Sequence, residues 1–219
     1  MKKYYYILEL IVTLVFTISV ISLNSNYDAV QTSGTIATLS TKKIEWGIKR
    51  NNNHEQPDLG TVNKKIIDEA KGIAMGNKES KKVYLTFDEG YEAGYTEKIL
   101  EVLKQNDVKA CFFITAHYVN TSSDLVQKMI DDGHTIGNHT VNHKSMPSLT
   151  TEQIKDEVMK LHTGVYEKFG YEMKYIRPPK GKYSEQSVAY CNSLRLYNSN
   201  VVFCIWWLGW KQARKRGLC

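Results

Sequence analysis

The pattern of hydrophobic and polar residues along this chain switches repeatedly between one typical of strands and one typical of helices. Short apolar runs bounded by turn-forming residues predict strands over 82–87, 109–115, 134–138 and 173–177, and in the first of these apolar residues occupy every second position. Apolar residues with helical spacing predict helices over 96–106, 122–132, 150–169 and 184–194, and a last apolar run covers 200–208. Strands alternating with helices predict an α/β fold with a mostly parallel sheet.

The predicted helices begin with residues suited to a first turn. Ser and Thr hydroxyls accept hydrogen bonds from the N–H groups that lack an intrahelical partner there. Such residues stand at Thr96, Ser122 or Ser123, Thr150 and Ser184. Among the histidines of these elements, we expect His134 to serve packing and His162 to lie exposed on the long helix.

The N-terminus is a targeting segment, predicted over residues 1–23. Lys2 and Lys3 precede an apolar run from Ile7 to Leu23, which is typical of an export signal. A cleaved signal peptide and a retained membrane anchor both stay open. Residues 24–44 are expected to be a linker and residues 45–219 a single domain. In both cases we expect the domain to be exported and membrane association to run only through the N-terminal segment.

The charge and the cysteine spacing argue against a nucleic-acid-binding protein and against a disulfide-rich one. The net charge of +6 is modest, and a basic run over 211–216 supplies part of it. Such a run is typical of a solvated tail, so we expect no nucleic-acid partner. The four cysteines have no metal-type spacing, and we expect no disulfide framework.

The segment 85–92 carries the first candidate chemistry. Its apolar alternation stops at Asp88, Glu89 and Gly90. A strand that ends in carboxylates and a turn is how many α/β proteins place a reactive acid at the mouth of a sheet. The alternative is an ordinary turn, since acids followed by glycine also open turns.

Two further clusters favour a catalytic interpretation. His139 and His143 are four residues apart, a spacing that lets two imidazoles converge on one cation. The alternative for the pair is solvated or core histidines. A loop over 177–183 contains two adjacent prolines and a glycine, so it is rigid enough to aim main-chain N–H groups. An acid, paired histidines and a rigid loop together indicate a metal-assisted hydrolase.

These motifs resemble those of the polysaccharide deacetylases, the NodB-homology family. The matching segments are 86–88, 139–143 and 177–179. Segments 46–50, 54–57 and 90–96 are similar to the delta-lactam-biosynthetic de-N-acetylase branch, and the resemblance runs roughly from residue 45 to 194. It implies a distorted (β/α) barrel. It also implies de-N-acetylation of N-acetylmuramic acid in peptidoglycan, as in muramic delta-lactam formation in the spore cortex.

The resemblance also implies roles for individual residues. Asp88 matches the general base and Arg177 the residue that orients it. The main-chain N–H of Lys180 matches the donor to the tetrahedral oxyanion. His139 and His143 match ligands of a divalent metal cation, zinc or similar, and the expected partner is the glycan strand of peptidoglycan in the cell wall.

Two positions depart from the family pattern. Glu89 stands where most of the family has a metal-binding Asp, and glutamate is one methylene longer. No histidine follows His162, so no residue matches the family's general acid, and Gly209-Trp210 stands where Asp-Trp is expected. We therefore expect a barrel that is incomplete at the C-terminus, and hypothesise a reading-frame slip near Leu194.

Two functions follow from these departures. In the first, the chain hydrolyses the acetamide C–N bond of a peptidoglycan amino sugar. In the second, it is a catalytically inactive, truncated remnant that binds glycan or metal. Losing a general acid commonly lowers a rate by about 10²–10⁴-fold, so the second function is not excluded by sequence.

Overall fold

The computed structural model describes residues 35–47, 49, 51, 55, 57–70, 72–76, 79, 84–194 and 202–203. The chain forms two compact units, Met1–Leu39 and Ser40–Cys219. In the first unit, the described residues make one helical turn at 35–37, and both the N–H and the hydroxyl of Thr38 donate to the carbonyl of Thr35. The elements below all belong to the second unit.

The described strands of the second unit form two sheets. The strands are β1 (Ile44–Glu45), β2 (Thr86–Glu89), β3 (Cys111–Ile114), β4 (Thr135–Asn138), β5 (Tyr175–Ile176), β6 (Lys182–Tyr183) and β7 (Val202–Phe203). The larger sheet is parallel, in the order β2-β3-β4-β5-β7. Strands β1 and β6 pair antiparallel, with Ile44 opposite Tyr183. The predicted α/β arrangement with a mostly parallel sheet is therefore what the described residues adopt.

Six α-helices of the second unit are described, and they flank these strands along the chain. They are α1 (Thr61–Glu69), α2 (Thr96–Gln105), α3 (Ala116–Thr121), α4 (Ser123–Asp131), α5 (Thr151–Phe169) and α6 (Glu185–Ser193). Short 3-10 turns cover Met146–Ser148 and Pro179–Gly181. Helices α1 and α3 have no counterpart in the sequence prediction. Helix α3 is only six residues long, and α1 has only three apolar residues among its nine, which is too sparse a stripe to predict a helix.

The helix starts only partly follow the prediction. Thr150 and Ser184 each accept a hydrogen bond from the N3 main-chain N–H and form capping boxes, as expected. Thr96 is different: it is buried in the first turn of α2, and its hydroxyl does not cap the helix. The Glu92 carboxylate occupies that place instead, accepting from the N–H groups of Gly94, Tyr95 and Thr96.

Strand β3 lies at the centre of the packing. Phe112, Phe113 and Ile114 are completely buried. One apolar cluster joins β3 and β4 to α2 and α4, while a second joins α1, α5 and α6. A strand buried on both faces is typical of a parallel sheet covered by helices, and it explains why residues 109–115 are almost continuously apolar.

Helix α5 corrects one expectation about its histidine. His162 was expected to lie exposed, but its side chain is completely buried with Leu161 and Val165 of the same helix. An amphipathic pattern alone does not tell whether a histidine at the border of the apolar stripe faces the core.

The segment predicted to be an export signal or anchor, residues 1–23, lies outside the described residues, and so does most of the apolar run 200–208. Within the described ranges, no helix combines the length and the apolar character that crossing a bilayer requires.

Candidate active site

The carboxyl ends of three parallel strands bring the predicted residues together. Asp88 lies near the end of β2, His139 directly follows β4, and Arg177 directly follows β5. The strands are in register, with Asp88 opposite Phe113, Phe113 opposite Gly137 and Asn138 opposite Ile176. Residues after neighbouring parallel strands share one edge of a sheet, which is where α/β proteins bind ligands.

Asp88 and Arg177 form an ion pair at this edge. One guanidinium nitrogen of Arg177 donates to Oδ1 of Asp88 at 2.5 Å, and the other donates to the Thr86 hydroxyl at 2.8 Å. The Asp88 side chain is 44% exposed, whereas that of Arg177 is 13% exposed. The mostly buried guanidinium therefore fixes the carboxylate by one oxygen and leaves the other accessible to solvent.

One face of the Arg177 guanidinium packs against an aromatic ring. The guanidinium carbon lies 4.2 Å from the centre of the Phe113 ring, within the range of a cation–π contact. The main-chain N–H of Arg177 donates to the carbonyl of Asn138 at 3.0 Å. Hydrogen bonds at the guanidinium edge, the aromatic ring and the main-chain hydrogen bond together fix the position of Arg177.

His139 faces Asp88 from the loop that follows β4. Its Nδ1 lies 2.9 Å from the carbonyl oxygen of Arg177, and because that oxygen can only accept, Nδ1 carries the hydrogen. Its Nε2 then presents a lone pair and lies 4.0 Å from Oδ2 of Asp88. The side chain is 5% exposed. Burial lowers the pKa of His139, partly opposed by the charge of Asp88, and this favours the neutral imidazole that a metal ligand must be.

His143 completes the imidazole pair. The ring centres of His139 and His143 are 4.9 Å apart. The two imidazoles can therefore supply two ligands to one divalent cation. Both histidines lie at the ends of one loop, and the Arg177 carbonyl fixes the tautomer of His139. No group of three His, Cys, Asp or Glu side chains within the described ranges is arranged to hold a metal ion.

Glu89, the third predicted ligand, has a different environment. Successive residues of a strand point to opposite faces, and Glu89 directly follows Asp88. Burial, together with the charges of Glu92 and Asp88, raises the pKa of Glu89 to about 7. Glu92 in turn accepts a hydrogen bond from the Tyr118 hydroxyl at 3.0 Å. The role of Glu89 as a metal ligand stays a prediction.

Lys180 lies in the rigid loop as the sequence predicts. Pro178 and Pro179 are buried, and Lys180 adopts a left-handed backbone with a φ of 60°. The loop is tied to the N-terminal part of the domain, because the Trp46 N–H donates to the Gly181 carbonyl at 2.7 Å. Left-handed backbone at a residue other than glycine requires such support, and it is frequent at functional sites.

Comparisons with known proteins define the family. Residues 75–198, more than half of the 219, match the family model for polysaccharide deacetylase. The chain is 39% identical over 186 residues to an uncharacterised 30.6 kDa protein of Geobacillus stearothermophilus, covering 84% of this chain and 69% of that one. It is 38% identical over 175 residues to the peptidoglycan-N-acetylmuramic acid deacetylase PdaA of Bacillus subtilis, covering 80% of this chain and 66% of PdaA.

Solved structures agree with this result. The structure of Bacillus subtilis PdaA, a family 4 carbohydrate esterase, matches with a TM-score of 0.72 at 36% identity, over 81% of this chain and 76% of that one. A family 4 carbohydrate esterase from Bacillus anthracis matches with a TM-score of 0.67 at 31% identity, over 81% of this chain and 87% of that one. The chain belongs to the polysaccharide deacetylase family, and the predicted α/β fold of the incomplete-barrel type is confirmed. It spans only about two thirds of the length of the two curated relatives.

Sequence reasoning missed several residues that build the site. Thr86 and Phe113 hold Arg177, and Glu157 of α5 accepts hydrogen bonds from the loop between the two histidines. Thr86 stands inside the family motif and was within reach of a sequence argument. Phe113 and Glu157 resemble ordinary core and surface residues, and only the tertiary structure identifies their partners.

Proposed function

We propose that this protein is a peptidoglycan de-N-acetylase, a hydrolase that cleaves the acetamide C–N bond of an amino sugar and releases acetate. Membership of the polysaccharide deacetylase family supports the reaction class. The similarity to PdaA, which is named a peptidoglycan-N-acetylmuramic acid deacetylase, supports the substrate class. The observation that carries the proposal is the approach of Asp88 Oδ2 to His139 Nε2, at 4.0 Å, on a solvent-accessible strand end.

Asp88 is proposed as the general base. Arg177 occupies Oδ1 of Asp88, so Oδ2 is the oxygen that can take a proton from an attacking water. A base must lie within hydrogen-bond reach of that water, and a water between Oδ2 and Nε2 of His139 satisfies this condition. Arg177 acts by orienting the carboxylate, with Thr86 and Phe113 holding the guanidinium in turn.

The main-chain N–H of Lys180 is proposed as the donor to the oxyanion. Attack on an amide carbonyl places negative charge on its oxygen, and a fixed N–H aimed at that charge stabilises the transition state. The backbone at Lys180 is held between two buried prolines and the Trp46–Gly181 hydrogen bond. A rigid backbone donor needs little reorganisation during the reaction, which makes this loop suitable for the role.

His139 and His143 are proposed to hold a divalent cation, zinc or similar. The tautomer of His139, fixed by the Arg177 carbonyl, and the 4.9 Å between the two ring centres support this proposal. Glu89 is proposed as the third ligand. When bound, such a cation polarises the acetamide carbonyl and increases the acidity of a coordinated water.

Within peptidoglycan, the proposed substrate is N-acetylmuramic acid of the spore cortex, and its deacetylation would lead to muramic delta-lactam. The name of PdaA and the delta-lactam-type segments of this chain support it. Peptidoglycan lies outside the membrane, so we propose an exported, cell-wall location reached through residues 1–23, as a cleaved signal or an anchor. Glycan strands are the proposed partner, and neither nucleic acid nor a further membrane contact is part of the proposal.

The test is incubation of the full chain with purified peptidoglycan. We expect acetate to be released and mass spectrometry of the digested glycan to locate the free amine on muramic acid. A free amine on glucosamine instead would support de-N-acetylation of peptidoglycan but contradict N-acetylmuramic acid as the substrate. Binding to peptidoglycan without acetate release would favour the inactive glycan-binding remnant and reject the proposed activity.

A further inference from the structure

We propose that Glu157 is a positioning residue for the histidine pair, holding the loop between His139 and His143 through its carboxylate. The proposal rests on the proposed function only for its link to metal binding and catalysis. Glu157 belongs to α5, and its side chain is 5% exposed, which is unusual for a glutamate without a charged or hydrogen-bonded role.

Both carboxylate oxygens of Glu157 contact the same loop residue. Oε2 accepts from the main-chain N–H of Asn142 at 2.7 Å, and Oε1 accepts from the side-chain amide of Asn142 at 2.8 Å. Lys144 adds an ammonium group 3.2 Å from Oε1. The residue directly before His143 is therefore clamped at its backbone and its side chain by one buried anion, and bonds to a charged acceptor are the strong ones.

The same helix makes one further contact with this loop and one with the last residue of β4. The Val141 N–H donates to the main-chain carbonyl of Glu157 at 3.0 Å, and the Asn138 side-chain amide donates to the carbonyl of Val158 at 2.8 Å. The loop that carries both imidazoles is thus attached to a 19-residue helix rather than to the sheet alone. Second-layer contacts of this kind orient metal ligands.

The loop backbone requires support of this strength. Thr140 has a φ of 69° and His143 a φ of 53°, so two residues with a Cβ adopt left-handed backbone. Such conformations persist only where surrounding contacts over-determine them. The Asn142 contacts lie next to the second of these residues, and we infer that they maintain the conformation that turns His143 toward His139.

A carboxylate is suited to this place because Asn142 and Lys144 together present three donors to its two oxygens. Glutamine has the same shape but is neutral and has one acceptor oxygen. When that oxygen accepts from the main-chain N–H of Asn142, the Asn142 side chain can turn its oxygen to the new NH₂ group, but the NH₂ group then faces the Lys144 ammonium and no charged acceptor remains. Asp156→Asn is the matched control, since Asp156 is the neighbouring acid of the same helix, is exposed, and pairs with Lys160 at 2.9 Å. The double variant Asn142→Asp/Glu157→Gln moves the carboxylate to the loop, where it accepts from the glutamine amide and returns an anion to the surroundings of Lys144.

The experiment compares these variants in the full chain by amide hydrogen exchange, zinc titration and acetate release. For Glu157→Gln we expect exchange at the amides of 141–144 to rise about tenfold or more. We expect zinc affinity to fall about 10–100-fold. Asp156→Asn should stay within about twofold of wild type in every readout, because exposed substitutions change free energies little. The double variant should recover most of both losses.

The proposal is overturned if Glu157→Gln matches Asp156→Asn in loop exchange and zinc affinity. If Glu157→Gln does not fold, Asn142→Ala tests the same contact from the loop side, and unchanged zinc affinity there overturns the proposal equally. The exchange readout needs neither metal nor substrate. A wild-type protein that binds zinc and shows the expected exchange pattern without releasing acetate would therefore reject the proposed function and keep the role of Glu157.

Discussion

Arg177 lies with its guanidinium carbon 4.2 Å from the ring centre of Phe113, and that contact depends on a third residue that has no side chain. Gly137 is the register partner of Phe113 on the next strand. A Cβ at Gly137 would lie 2.4 Å from the Phe113 ring, closer than such atoms approach. The orientation of the proposed base, Asp88, therefore depends on a sequence of contacts that begins two strands away.

The first prediction concerns Gly137→Ala. The added methyl group must displace the Phe113 ring, so we expect a loss of stability of about 1–3 kcal/mol, as is typical of overpacking, together with reduced acetate release. Denaturant unfolding and the peptidoglycan assay measure the two effects. Gly164→Ala is the matched control, because a Cβ at Gly164 of α5 meets nothing within 4 Å and alanine favours a helix. Equal stability of the two variants would contradict the packing argument.

The second prediction concerns Arg177→Lys. Lysine keeps the positive charge but lacks the planar fork that joins Asp88 to Thr86. We expect kcat/KM to fall about 10–100-fold, the usual range for residues that orient a reacting group through another, while the circular dichroism spectrum stays unchanged. Wild-type kcat/KM in this variant would show that charge alone suffices and that the fork has no orienting role.

The third prediction is a pH dependence at Glu92. Burial acts to raise the pKa of Glu92, but hydrogen bonds from Thr96, Tyr118 and Gly94 lower it from the ordinary 4.5 to about 2. A depressed folded-state pKa means that its contribution to stability is present above pH 4.5 and is lost as the pH falls toward 2. Glu92→Gln should therefore be less stable than wild type at neutral pH, with a gap that closes on acidification.

Unfolding curves between acidic and neutral pH test this dependence. Glu97→Gln is the control, since Glu97 is an exposed acid in the first turn of α2, the helix that Glu92 caps, and pairs with Lys128 at 3.2 Å. A constant gap between wild type and Glu92→Gln across that range would be incompatible with a cap formed by the ionised carboxylate.

The fourth prediction has the opposite sign and concerns Glu89. Burial and the charges of Glu92 and Asp88 raise the pKa of Glu89 to about 7 from the ordinary 4.5. Between these values the folded protein holds a proton that the unfolded chain has lost, so stability falls as the pH rises from 4.5 to 7. Glu89→Gln should gain stability over wild type as the pH increases through that window, measured with a chelator present.

A metal titration of Glu89→Gln then decides its predicted role as a ligand. Because Asp88 is the carboxylate that lies 4.0 Å from Nε2 of His139, we expect zinc affinity to fall less in Glu89→Gln than in His139→Ala. A loss as large as that of His139→Ala would place the Glu89 carboxylate among the ligands.

The main elements of the fold were predictable because their signals are local. Strand β3 is almost continuously apolar and α5 has a long apolar stripe, so both were predicted near their observed bounds. Strands β1 and β6 are two residues long each and exist only through their mutual pairing, which leaves no periodicity in the sequence. Helix α1 was missed because only three of its nine residues are apolar.

The site was predictable where residue type alone indicates chemistry. Asp88, His139 and Arg177 stand at strand ends, and parallel strands bring those ends together. Glu157 could not be found in this way, because a lone glutamate in an amphipathic helix has the same local pattern as a solvated one. Its burial depends on the loop after β4, a contact that is distant in sequence.

The most direct test of the central claim is acetate release by Asp88→Asn, measured beside wild type and the exposed control Asp68→Asn. Asp88→Asn keeps the size of the side chain but removes the ability to accept a proton, so kcat should fall by about 10²–10⁴-fold while Asp68→Asn retains wild-type activity. Acetate release by Asp88→Asn at the wild-type rate would contradict the account, since the carboxylate facing His139 would then not be the base.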